Sequence, residues 1–167
     1  MKKIFKEIFP YIIIILVVVL IRTFLVTPIR VQGLSMYPTL DDKDLLLLAK
    51  CDQAYERFDI VILDYHGERL VKRIIGLPGE SVSYTDNQLY INGEEVEESF
   101  LPENLKFSDF DTLLIGHEKI PEENYFVVGD NRNNSTDSRV FGVVNKKDIL
   151  GTAVFRLYPF HKIGGIS

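Results

Sequence analysis

Ser35 and Lys72 are the residues whose types could make a hydrolytic pair. Ser35 lies in Gly33-Leu34-Ser35-Met36-Tyr37-Pro38-Thr39. Pro38 fixes its own φ and drives Tyr37 toward extended geometry, so this segment is not a helix interior. Lys72 lies in Arg69-Leu70-Val71-Lys72-Arg73-Ile74-Ile75. Read as a strand, the run puts Lys72 on one face with Leu70 and Ile74, and Arg73 on the other with Val71 and Ile75. A lysine with its ordinary pKa, near 10.4, is protonated at pH 7 and accepts no proton. Burial among aliphatic side chains disfavours the ammonium; a drop of about two to three pH units would make the free amine available as a base for a serine hydroxyl. The bland alternative is an edge-strand lysine that snorkels into water beside a surface serine.

A third stretch, Gly129-Asp130-Asn131-Arg132-Asn133-Asn134-Ser135-Thr136-Asp137-Ser138-Arg139, has no aliphatic side chain yet directly follows the apolar run Tyr125 to Val128. Such a loop must satisfy many polar groups close to a core strand; loops of this type often carry function, and the bland alternative is a hydrated turn built from Asn and Asp. It is not a calcium loop: Arg132 stands third, Ser135 sixth and Phe141 twelfth. Asn133-Asn134-Ser135 and Asn134-Ser135-Thr136 match glycosylation acceptors, a pattern of little specificity. His66, His117 and His161 lack ligand spacing with one another or with Cys51, and Gly76-Leu77-Pro78-Gly79 lacks the Lys-Ser/Thr of a phosphate loop. No metal and no cofactor is expected. A Ser-His-Asp triad assembles in space and leaves no spacing to read, and none of the three histidines has a distinctive setting.

The elements that must position these groups come in two kinds. Lys2, Lys3 and Lys6 precede a run from Ile8 to Val26 that is uncharged to Ile21 and interrupted only by Arg22. Its 19 residues would span roughly 28 Å as a helix, the thickness of a bilayer core. No small-x-small cleavage site follows, so the run reads as a transmembrane anchor over 8–26 rather than a removed leader. The preceding lysines favour a cytoplasmic N-terminus over residues 1–7, with 27–167 on the far side.

Beyond the anchor the pattern becomes short runs rich in Val, Ile and Leu: Ile29 to Val31, Asp44 to Ala49, Asp59 to Leu63, Arg69 to Ile75, Ser81 to Tyr84, Gln88 to Ile91, Tyr125 to Val128 and Ile149 to Tyr158. Asp41-Asp42, His66-Gly67, Leu77-Pro78-Gly79 and Asn92-Gly93 punctuate them. The spacing predicts a mostly antiparallel β domain behind one N-terminal transmembrane helix. Residues 94–123 are acidic, with Pro102, Pro121 and scattered apolar positions; they read as a solvated surface insertion with one hairpin, Phe110 to Ile115 paired with a nearby segment. A net charge of −5 without a basic stripe gives no support to a nucleic-acid partner, and the single cysteine rules out an internal disulfide. The oligomeric state has no signature, and a monomer is assumed.

Taken together and in this order, the anchor, Ser35-Met36-Tyr37-Pro38-Thr39, Phe58-Asp59-Ile60-Val61, Val71-Lys72-Arg73-Ile74-Ile75-Gly76-Leu77-Pro78-Gly79-Glu80 and Gly129 through Arg139 resemble the bacterial type I signal peptidases, membrane-bound serine–lysine proteases of the S26 family. The compact size, single anchor and lone cysteine resemble the short Gram-positive type. The resemblance implies a largely antiparallel β fold, with Ser35 as nucleophile and Lys72 as general base. It implies that Ser135 hydrogen-bonds and orients the amine, that Asp137 and Arg139 form a structural ion pair, and that Arg73 and Asp130 form a second. It also implies preproteins as partners, bound as an added strand and cut after small residues at −1 and −3, with the bilayer as a further partner. One position departs: Gly33 stands where some relatives carry a serine hydroxyl that helps bind the oxyanion, and glycine there resembles the Gram-positive type. Since an acidic neighbour would raise the lysine pKa, Asp59, Asp130 and Asp137 are expected not to contact the Lys72 amine. Two other readings remain open. One is a dedicated serine–lysine maturation peptidase of the pilin or conjugation kind; the other is a non-catalytic membrane-tethered peptide-binding domain.

Overall fold

The computed structural model describes residues 7–16, 18, 26–50, 55–102 and 105–166. Residues 7–16 are helical (α1) and exposed. Much of the expected span over 8–26, Arg22 included, lies outside the described residues, as do the lysines that precede it. Among the described residues no helix is long and apolar enough to cross a membrane.

The rest is antiparallel β, as the short apolar runs predict. One eight-stranded sheet takes β1 (Val26–Arg30), β2 (Leu45–Ala49), β11 (Ile149–Tyr158), β3 (Ile60–Tyr65), β4 (Glu68–Gly76), β9 (Asn124–Val128) and β10 (Val144–Asn145) in that order, with β12 (Gly164–Gly165) on β11. A four-stranded sheet has the order β7 (Glu94–Val96), β6 (Gln88–Ile91), β5 (Val82–Thr85), β8 (Phe110–Asp111). Three tight hairpins connect β3 to β4, β5 to β6 and β6 to β7. Their central pairs, His66-Gly67, Asp86-Asn87 and Asn92-Gly93, all have positive φ, the backbone that matches the right-handed strand twist. Two of these turns are legible as X-Gly; Asp86-Asn87 is not, because it carries no glycine.

In the β3–β4 register Val61 faces Lys72 and Ile60 faces Arg73. One face of this pair sends Ile60, Ile62 and Val71 into a core with Met36, Leu40, Leu46 and Leu48. The other sends Val61, Leu63 and Ile74 into a second core with Tyr125, Val127 and Ile149. Strands buried on both faces explain the near-continuous apolar runs. A third core, around Phe126, Tyr84 and Leu89, joins the small sheet to the large one.

The region at 94–123 corrects the solvated-insertion reading. Its strands β7 and β8 pair with β6 and β5, so the small sheet starts at Val82. Phe110, Thr112 and Ile120 are buried. Of the strand expected over Phe110 to Ile115, only Phe110–Asp111 pairs, with β5; Thr112–Ile115 is a 3₁₀ turn capped by the Asp111 side chain. Scattered apolar positions concealed this core because each comes from a short, separate element.

Candidate active site

Ser35 sits in a turn between β1 and β2. The Leu34 carbonyl accepts from Tyr37 N–H at 3.1 Å and the Met36 carbonyl from Leu40 N–H at 2.8 Å. Met36 and Leu40, buried in the first core, fasten the turn from below while Leu34 and Tyr37 stay exposed. Gly33 enters the turn at φ +84, a left-handed value that glycine adopts without strain. Its N–H donates to Asp42 Oδ1 at 2.9 Å.

Lys72 comes up from β4, between Leu70 and Ile74 on its own face and across from Val61. It is 2 % exposed. Its Nζ stands 2.8 Å from Ser35 Oγ. Burial pushes the amine from 10.5 down to about 8; Asp137 and Asp130 pull it partway back and Arg139 pushes it down. Among the described residues no carboxylate is in ion-pair contact with this amine. Asp130 faces Arg73 and Asp137 faces Arg139, and Asp59 accepts the Glu56 N–H.

The polar loop between β9 and α2 (Ser138–Phe141) closes the site. Arg73, adjacent to Lys72 but on the other face, grips Asp130 through Nε and Nη2 at 2.9 and 2.8 Å, both side chains fully buried. Arg73 Nη1 also donates to the Phe58 carbonyl at 2.9 Å. Asp137 caps α2 and takes Arg139 through two bonds of 2.9 Å and the Gly129 N–H at 3.0 Å. Burial works to raise the Asp137 pKa, but Arg139 and the Gly129 N–H outweigh it and hold the carboxyl below its usual range.

Ser135 lines a pocket of about 470 Å³ with Gly33, Leu34, Ser35, Lys72 and Thr136. Its hydroxyl is buried but makes no hydrogen bond to the amine, unlike the contact the resemblance implies. Two further residues of the loop have no role legible in sequence. Asn131 donates its backbone N–H to the Ser35 carbonyl and its Nδ2 to the Leu34 carbonyl, each at 3.0 Å, tying the loop to the serine turn. Gly129 passes so close that a Cβ there would collide with the Ser35 carbonyl and the Ser135 hydroxyl. Its position directly after an apolar strand was the only available signal. A serine hydroxyl against a desolvated lysine amine, next to an open pocket, can carry out nucleophilic attack on a carbonyl without a metal ligand set.

Comparison with known proteins places the chain in a family. The family described as Signal peptidase, peptidase S26 matches residues 2–158. Signal peptidase I of Bacillus amyloliquefaciens is 44% identical over 160 residues, covering 91% of this chain and 86% of its own. Signal peptidase I S of Bacillus subtilis (strain 168) is 43% identical over 158 residues, covering 89% and 86%. A crystal structure of a signal peptidase I from Enterococcus faecalis V583 superposes with a TM-score of 0.55 at 38% identity, over 60% of this chain and 97% of that one. With nearly the whole sequence matched, the chain belongs to the signal peptidases of peptidase family S26, and within them to the Gram-positive type I enzymes.

Proposed function

We propose that the chain cuts signal peptides from exported preproteins by a serine–lysine mechanism. The observation that carries this reading is the 2.8 Å approach of the buried Lys72 Nζ to Ser35 Oγ at the edge of an open pocket. With Lys72 neutral, Ser35 Oγ attacks the scissile carbonyl carbon and its proton passes to Nζ. The resulting ammonium gives that proton to the leaving nitrogen as the C–N bond breaks, leaving an ester on Ser35. Water then attacks the ester, loses a proton to Nζ, and Oγ recovers it as the acid departs.

The oxyanion needs donors. The Ser35 N–H has no acceptor among the described residues and is available for it, whereas the Gly33 N–H is engaged by Asp42. Asp137 with Arg139 and Asp130 with Arg73 hold the loop, and Ser135 orients the amine once substrate has displaced water from the pocket. Substrate lies extended, with small residues at −1 and −3. Residues 8–26 anchor the enzyme in the cell membrane with the N-terminus cytoplasmic. Ser35, nine residues beyond Val26, then works within roughly 30 Å of the bilayer, where a signal peptide still held in lipid presents its cleavage site.

The test is incubation of the full chain in detergent with unrelated preproteins. Wild type should release mature protein from each. Ser35→Ala and Lys72→Met should release none while remaining folded. Full processing by Lys72→Met would remove the lysine from the mechanism.

A further inference from the structure

The loop at 129–137 has no apolar side chain with which to hold itself in place. On one side Asn131 ties it to Ser35 and Leu34. On the other it meets the segment between β7 and β8. Glu98 there receives Arg132 Nη1 at 3.1 Å and Nη2 at 2.6 Å, and the Tyr84 hydroxyl at 3.1 Å. The guanidinium lies 5.0 Å from the Tyr84 ring centre and 5.3 Å from that of Phe107. Two more contacts flank this one. The Phe100 ring stacks 3.8 Å from Arg73 Cζ, and Asn133 Nδ2 donates to the Lys106 carbonyl at 2.7 Å.

Desolvating two such charges costs several kcal/mol, and apolar residues would fill the space at less cost. What the pair provides is direction. Arg132 N–H donates to the Asp130 carbonyl at 3.0 Å, and Asn131 lies between them. Fixing Arg132 therefore fixes the residue that grips the serine turn. We propose that Glu98 is a positioning residue for cleavage: by clamping Arg132 it holds residues 130–136 against Ser35 and over the buried Lys72 amine.

The proposal rests on the Ser35–Lys72 reading. Without the Glu98 charge, Arg132 becomes an uncompensated buried cation and turns toward solvent. The loop then drifts, Ser35 loses its alignment, and water reaches the amine.

The experiment is steady-state cleavage of a preprotein by the full chain in detergent, across pH, for wild type, Glu98→Gln and Ser35→Ala, with melting temperature measured alongside. A misplacement of this kind lowers kcat by up to about a hundredfold. The rising limb of kcat/KM should also move up from about 8 toward 10.5 as Lys72 is rehydrated. A merely structural role would lower the melting temperature and leave that limb in place, and a slower enzyme with an unmoved limb overturns the proposal. So does a Glu98→Gln enzyme with wild-type rate. If Glu98→Gln fails to fold, Glu98→Asp, which keeps the charge on a shorter arm, is judged by the same limb. Activity in Ser35→Ala would instead refute the underlying mechanism; an inert Ser35→Ala beside an unaffected Glu98→Gln refutes the clamp alone.

Discussion

In the proposed mechanism Lys72 is the residue on which the chemistry turns, and its burial has measurable consequences. An amine titrating at about 8 is free in roughly one molecule in ten at pH 7. We expect kcat/KM for a preprotein to rise through about pH 8. Bound substrate excludes more water, so the limb in kcat should lie lower than that in kcat/KM. Coincidence of both limbs near 10.5 would mean that the amine is hydrated in solution. Burial also acts on stability. The unfolded chain keeps a proton on Lys72 up to 10.5, the folded one only to about 8. The penalty on folding is therefore complete below pH 8 and fades between 8 and 10.5. That gap corresponds to about 3 kcal/mol. Lys72→Met, inert as an enzyme, should be the more stable protein at pH 7, by an amount approaching this figure, and should lose that advantage above pH 10. Denaturant titrations at two pH values measure the difference.

Strand β4 and the 129–139 loop are the elements that set the geometry. Alternation along β4 sends Lys72 to one face and Arg73 to the other, so consecutive residues do different work. Lys72 reaches Ser35, and Arg73 seizes Asp130 at the root of the loop. Breaking a fully buried pair from one side leaves the other charge without compensation. Asp130→Ala should thus destabilise the fold by about 3–5 kcal/mol, and activity should fall with it. Replacing Arg73 and Asp130 together by apolar residues should recover much of the stability but not the rate, because the loop loses its bearing on Asn131 and Ser135. Calorimetry beside a cleavage assay separates the two effects. The hairpin joining β3 to β4 needs no such pairing, since its turn residues His66 and Gly67 supply the required backbone themselves.

At the scale of the molecule, the three cores among the described residues use nothing before Ile29. Removing residues 1–25 leaves β1 whole and should give a protein that unfolds in one cooperative transition. It should still cut a soluble signal-peptide substrate, yet process bilayer-bound preprotein poorly, because nothing then holds the site near the membrane. Equal processing of membrane-bound preprotein by the full and shortened chains would show that the N-terminal segment plays no part in reaching substrate. The small sheet belongs to the same unit, since its core takes in Ile75, Phe126 and Val128 of the large sheet, and Glu98, between β7 and β8, holds Arg132 of the loop.

Local chemistry was enough to make several features readable from the amino-acid order. Apolar runs of strand length and X-Gly turns announced an antiparallel β domain, because side-chain alternation and left-handed turn residues depend on neighbours alone. Alternation likewise marked Lys72 as flanked by Leu70 and Ile74, a candidate for desolvation. Tertiary structure decided the rest. The approach of Ser35 to Lys72 spans 37 positions, that of Arg132 to Glu98 34, and that of Asn131 to Leu34 97. The role of Gly129 depends on how closely two backbones pass. Contacts between distant positions arise from sheet order and register, which no short window of sequence contains. An acidic stretch could therefore look like solvated surface while supplying the carboxylate beneath the active-site loop.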